Sequence, residues 1–144
     1  MPASSDPLPD LLLHLVRLLD PVTEQAMSAA HGATLAQLAG LRVLDGRPQS
    51  VTALAEQLGV HRSSASRLVD RLVAGGFATR TPSPTSGREV VVAATALGVT
   101  AARNVATRRR KALTTMLRDL PEDQREQVTG ALRLLVASLG AHGS

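Results

Sequence analysis

A mainly α fold with one small β-hairpin wing, the winged helix-turn-helix, is predicted by three features of this 144-residue chain. Two short apolar helical stretches flank Gly59 in "LAEQLGVHRSSASRLVDRL", residues 54–72. After the second stretch the apolar period changes from helical to alternating over two short runs joined by a Pro/Ser/Gly turn. The basic excess is confined to the middle: residues 1–60 carry a net −3, residues 61–119 a net +8, and residues 120–144 a net −1.

The elements follow in order. Residues 8–30 read as a helix with Leu8, Leu11, Leu12, Leu15, Leu18 and Leu19 on one broad face, entered through Asp6 and Pro7, and Pro21 is expected to kink or split it. Thr34 and Gln37 match a capping box, with Leu35, Leu38, Leu41 and Leu44 following at helical spacing until "DGRP" at 45–48 stops the second helix. Ser50 caps a short third helix that turns Leu54, Ala55 and Leu58 inward and ends at Gly59. The fourth runs from about 61 to 74 and closes at Gly75 and Gly76. "FATRT" at 77–81 and "REVVVAA" at 88–94 pair as a hairpin across "PSPTSG". Thr95 caps a long helix to about Asp119, with Leu97, Ala101, Val105, Leu113, Met116 and Leu117 expected inside. Pro121 opens a last helix to Leu139, with Glu122 and Asp123 on the favourable end of its dipole. The ends, 1–5 and 140–144, read as loose.

Composition excludes several classes of function. The length suits one domain, and with a single Phe and no Trp or Tyr the core has to be built from Leu, Val and Ala. The absence of cysteine excludes disulfides, thiolate metal sites and cysteine redox sensing, and a cytoplasmic location is expected. "LLLHLVRLL" at 11–19 is broken by His14 and Arg17, so neither a membrane span nor a signal peptide is expected. The four His are scattered without metal-ligand spacing, and no Gly-rich loop joins a strand to a helix; no enzyme, cofactor or metal is expected. A single-stranded nucleic-acid binder would need aromatic stacking platforms, which are missing.

What remains is the pair of helices around Gly59. A helix-turn-helix needs a small residue where its helices nearly touch, here Ala55, and a turn residue tolerant of positive φ, here Gly59. Leu54, Leu58, Val60, Ala65 and Leu68 take the inward positions, leaving Arg62, Ser63, Ser66 and Arg67 outward and Ser64 and Asp70 round the side. Short hydrogen-bonding side chains with two Arg suit a helix entering the major groove, although an ordinary amphipathic pair with a solvated face shares the spacing. Of the 16 basic residues only Lys111 is a lysine, a bias that guanidinium recognition of phosphate and guanine explains and that a GC-rich genome explains equally. Arg88, just after Ser86 and Gly87, stands at the hairpin tip, where it would reach a narrow minor groove or simply face water. "RRRK" at 108–111 reads as a solvated face, with DNA or an anionic ligand as alternatives.

The pieces "TLAQLAGLRVL", "SVTALAEQLGV", "SRLVDRLVAGGFATR" and "SGREVVVAATALG" resemble the second helix, third helix, recognition helix with wing, and wing return of the MarR-type (multiple-antibiotic-resistance) winged-helix regulators. The likeness covers about residues 8–139. It implies a bacterial, six-helix homodimeric transcriptional regulator, a repressor, that binds a palindromic double-stranded DNA operator. Residues 34–94 would form the DNA-binding lobe and 8–30 with 95–139 the dimerisation region. Carried over to this chain, DNA binding falls to Ser50, His61, Arg62, Ser63, Ser64, Ser66, Arg67 and Arg88. Dimerisation falls to Leu11, Leu15 and Leu18 at one end and Val128, Leu132, Leu135 and Leu139 at the other, stripes too apolar for one lobe to cover. Many members bind small phenolic or carboxylate effectors in a cleft between dimer helices and lobe; a small anionic or aromatic effector here would meet aliphatic walls, with His14, Arg17, His31 or Arg103 as polar anchors. Three positions depart from the family pattern: Ser86 replaces the Asp that braces the wing Arg, His61 opens the recognition helix in place of a better cap, and Ala53 stands where a capping-box Glu is usual. The competing reading is a non-specific winged-helix DNA binder, a nucleoid or interaction module without an effector. The Ser/Arg set on the recognition helix discriminates between the two, since a phosphate gripper needs no short groove-reading residues there.

Overall fold

The structure, a computed structural model, describes residues 6–141, and its compact units are the chain up to Arg110 and the chain from Lys111 onward. Helix α1 (Leu8–Ala26) opens where the Asp6 carboxylate accepts the Leu8 N–H at 3.0 Å. Pro21 lies inside it without splitting it, since a proline removes one ladder hydrogen bond while the turns on either side persist. The predicted 8–30 helix ends instead in a tighter 3₁₀ turn, Met27–Ala29, followed by His31 and Gly32 at φ 52° and 87°.

The capping box forms as expected. Thr34 N–H donates to Gln37 Oε1 at 2.7 Å and Gln37 N–H to Thr34 Oγ1 at 3.2 Å, opening α2 (Leu35–Val43). Leu38, Leu41 and Leu44 are buried, but Leu35 is 53% exposed. A strict three-residue repeat drifts about 60° per step on a helix of 3.6 residues per turn, so four such leucines cannot share one face.

Three antiparallel strands, β1 (Gln49–Ser50), β2 (Ala78–Pro82) and β3 (Val90–Ala94), form a sheet in the order β1-β3-β2. The hairpin matches expectation. The third strand, two residues long, had no period from which to be read. It pairs Gln49 with Val92 and Ser50 with Val91. Ser50 then caps α3 (Val51–Leu58), accepting the Ala53 N–H at 3.1 Å, and Gly59 ends that helix at φ 67°. Helix α4 (Arg62–Ala74) follows, with Ala65, Val69 and Leu72 buried. Val60, expected inside, is 44% exposed: its N–H closes the turn onto the Ala55 carbonyl at 3.0 Å while its side chain faces out. Leu41, Leu44, Leu54, Val69, Leu72 and Val92 form the fully buried centre, joined by Phe77, Ala101 and Val105.

Helix α5 (Ala96–Met116) starts at Thr95, whose hydroxyl oxygen accepts the Gly98 N–H at 3.2 Å and donates to the Gly76 carbonyl at 2.6 Å. Ala101 and Val105 are buried as expected, Leu113 is half-buried, and Leu97, Met116 and Leu117 are exposed. The cause is geometric: the buried residues of α5 are Gly98, Ala101 and Val105, Leu97 stands off the face they share, Met116 lies three turns beyond them, and the helix ends before Leu117.

In the second unit, α6 (Glu122–Ala141) carries Glu122 and Asp123 in its first turn, and the Pro121 carbonyl, just outside the helix, accepts the Arg125 N–H at 2.8 Å. No residue of α6 is buried. Among the described residues no helix is long and apolar enough to cross a membrane.

Candidate nucleic-acid interface

The pairing of Ser50 with Val91 ties the start of α3 to the return strand of the hairpin. A concavity of about 460 Å³ opens between them. Ser50, Val51 and Thr52 line it from α3, Arg62, Ser63 and Ser66 from the first turns of α4, and Arg80, Arg88, Glu89 and Val90 from the hairpin. The α4 contribution follows from helical phase and position: Ala65, Val69 and Leu72 seat one face in the core, which leaves Ser63 opposite it and Ser66 half-buried on its flank, while Arg62 shares the phase of the buried face but is the first residue of the helix and is exposed there. Three guanidinium groups, four hydroxyls and one carboxylate therefore line a surface whose protein walls are a helix and a β-ribbon, the two shapes that enter DNA grooves.

Five of the eight expected DNA-contacting residues meet here: Ser50, Arg62, Ser63, Ser66 and Arg88. His61, Ser64 and Arg67 do not line the concavity. His61 occupies the N-cap of α4 without a side-chain capping bond, Ser64 is exposed, and Arg67 Nε donates to the Ser63 carbonyl at 3.4 Å. Thr52 and Arg80 were missed. The signal for Arg80 was strand parity: it lies two residues from buried Ala78, hence on the face of the sheet that turns toward α4, where its guanidinium pairs with Asp70.

The four expected effector anchors are not brought together. His14 and Arg17 are exposed on α1. His31 faces Asn104, Nε2 to Nδ2 3.4 Å, beside Arg108, which donates to Ser28 Oγ at 3.0 Å in a hollow of about 480 Å³. Arg103 lines a different one, about 120 Å³, with Leu38, Val105, Arg42 and Arg109, and there Arg109 Nε is buried without a hydrogen-bond partner. Among the expected dimer positions Leu11, Leu15 and Leu18 are exposed on α1; Val128, Leu132 and Leu139 are exposed on α6, where Leu135 is half-buried. Among the described residues no three His, Asp or Glu side chains are placed to hold a metal ion.

A crossed helix pair followed by a β-ribbon, with the ribbon and second helix sharing one basic concavity, defines the winged helix-turn-helix class. The sequence model of the MarR family matches residues 31–89. The chain is 30% identical to RV1404 from Mycobacterium tuberculosis over 97% of each chain, with a TM-score of 0.84. It is 25% identical to the transcriptional regulator Tm0710 from Thermotoga maritima over 94% of this chain and 96% of that one, with a TM-score of 0.70. The fold also matches a mutant MarR from E. coli complexed with operator DNA, at 22% identity and a TM-score of 0.69 over 90% and 94% of the two chains. No curated protein matches the sequence. The chain belongs to the MarR family of winged-helix transcriptional regulators.

Proposed function

We propose that the protein is a cytoplasmic, sequence-specific repressor that binds a palindromic double-stranded operator as a homodimer and is released by a small anionic or aromatic effector. The observation that carries the DNA-binding part is the shared concavity, in which Arg62, Ser63 and Ser66 of the recognition helix stand beside Arg88 of the wing. Short hydroxyls let the helix approach base edges, and the Arg residues supply forks for guanine and phosphate. The site residues are Ser50, His61, Arg62, Ser63, Ser64, Ser66, Arg67 and Arg88, of which Ser50, Arg62, Ser63, Ser66 and Arg88 share the concavity with Thr52.

The dimer reading is supported by large apolar side chains that stay exposed, Leu11, Leu15 and Leu18 on α1 and Val128, Leu132 and Leu139 on α6. The effector reading is supported by the hollow beside Arg103, where Arg42, Arg103 and Arg109 surround an apolar floor of Leu38 and Val105 and so suit a small carboxylate with an apolar body. Asp45 lines the same hollow and opposes the anion.

Footprinting on DNA selected from a random pool tests the central claim. The expected result is paired major-groove protection with two-fold symmetry; equal affinity for a composition-matched scramble would leave only a non-specific binder. Thermal shifts across a panel of aromatic carboxylates, with release of the bound duplex, test the effector.

A further inference from the structure

One residue on the exposed stripe of α4 runs against the chemistry proposed for it. Asp70 lies one turn beyond Ser66 on the stripe that carries Arg62 and Ser66, so a helix entering a groove on that face would bring a carboxylate toward phosphates. Arg80 of β2 pairs with it across the gap between recognition helix and wing root, and Arg80 also lines the concavity. The pair is open to water, with 61% of the Asp70 side chain and 36% of that of Arg80 accessible, and an ion pair so exposed adds little to stability. Its placement therefore calls for another account than holding the fold together.

Resting on the DNA-binding function proposed above, we propose that Arg80 is a further duplex-contacting residue, gripping phosphate, and that Asp70 is its positioning partner, restraining how strongly the interface holds DNA of any sequence. A guanidinium offers five N–H donors in a rigid fork. One Nη2 bond goes to Asp70 Oδ1, which leaves donors for a phosphate oxygen and fixes the plane of the fork. The pairing also works from the other side, because a carboxylate neutralised by a paired guanidinium repels phosphate less than a free one. Asp70 thus trims phosphate affinity that carries no sequence information, and the ratio of specific to non-specific binding rises.

The test is the affinity of the full chain for a duplex it selects from a random pool and for a scramble of it, at 50 and 200 mM salt as about a fourfold step. Arg80→Ala should flatten the salt dependence by about one phosphate contact on both duplexes, so that this step erodes wild-type binding about 3.5-fold more than the variant's. Arg80→Lys, which keeps the charge, should restore the slope. Asp70→Asn should tighten the scramble more than the selected duplex and lower their ratio, whereas Asp70→Glu should stay nearer the wild-type ratio. An Arg80→Ala slope equal to wild type, or an Asp70→Asn ratio equal to wild type, overturns the inference while leaving the DNA-binding reading intact. Wild-type protein that binds neither duplex at low salt defeats that reading itself.

Discussion

The backbone carbonyl of Phe77 stands against the α-carbon of Gly98 so closely that a methyl group there would overlap it, and a Leu41 Cδ2 would lie 2.9 Å from the same methyl. The carbonyl cannot swing aside, since it accepts the Thr95 N–H at 2.9 Å. Here the first turn of α5 meets the strand that leads into the wing.

Gly98→Ala is therefore expected to destabilise the protein despite the helix propensity it gains. Propensity favours Ala over Gly by about 1 kcal/mol in a helix interior. Overpacking against immobile backbone costs about 1 to 3 kcal/mol, occasionally more, so the net sign is unfavourable. Denaturant unfolding would show a lower midpoint with an unchanged slope; an unchanged or raised midpoint would mean that the α5 contact yields.

Ser50 separates folding from binding, because it both caps α3 and lines the concavity. Ser50→Ala should lose about 1 kcal/mol of stability with the cap. Ser50→Asp should keep the cap, and an anion at a helix N-terminus is favourable. It should nevertheless weaken duplex binding sharply by facing phosphate. Equal duplex affinity for Ser50→Asp and wild type would remove Ser50 from the interface.

The caps at Thr34 and Ser50 and the turn at Gly59 were legible in the sequence because each is decided within a few residues: a side-chain oxygen meets an N–H three places on, or a backbone takes positive φ. Burial was legible only where the helical phase was right. Leu35 and Leu97 have core chemistry but point away, and Val69 and Leu72 were passed over although both are fully buried. Strand β1 is too short to carry a period, yet it is what brings Ser50 against the wing. The Asp70–Arg80 pair depends on the angle between helix and hairpin, which no spacing encodes.

Dimerisation makes its own prediction at two separate stripes. Leu15 on α1 and Leu132 on α6 are both exposed, so replacing either by Glu costs the isolated chain little. In a dimer the same change buries a charge without a partner. Wild-type protein is expected to sediment as a dimer at micromolar concentration, with Leu15→Glu and Leu132→Glu shifted toward monomer. A wild-type monomer would defeat the homodimer outright.

The last prediction separates reading from gripping. Arg67 is exposed on α4 outside the concavity, and its Nε bond to the Ser63 carbonyl at 3.4 Å leaves the two Nη groups for a bidentate contact with guanine O6 and N7. Arg67→Ala should cost about 1 to 3 kcal/mol on the selected duplex and much less on its scramble. Arg88 sits on the wing within the concavity, where a minor groove would offer width and charge but little base code. Arg88→Ala should weaken the selected duplex and unrelated A·T-rich duplexes more evenly, and should flatten the salt dependence by about one counterion. Affinities for both kinds of duplex at two salt concentrations decide the matter. If Arg67→Ala weakens both duplexes equally, α4 grips without reading, and non-specific binding becomes the better account of the concavity.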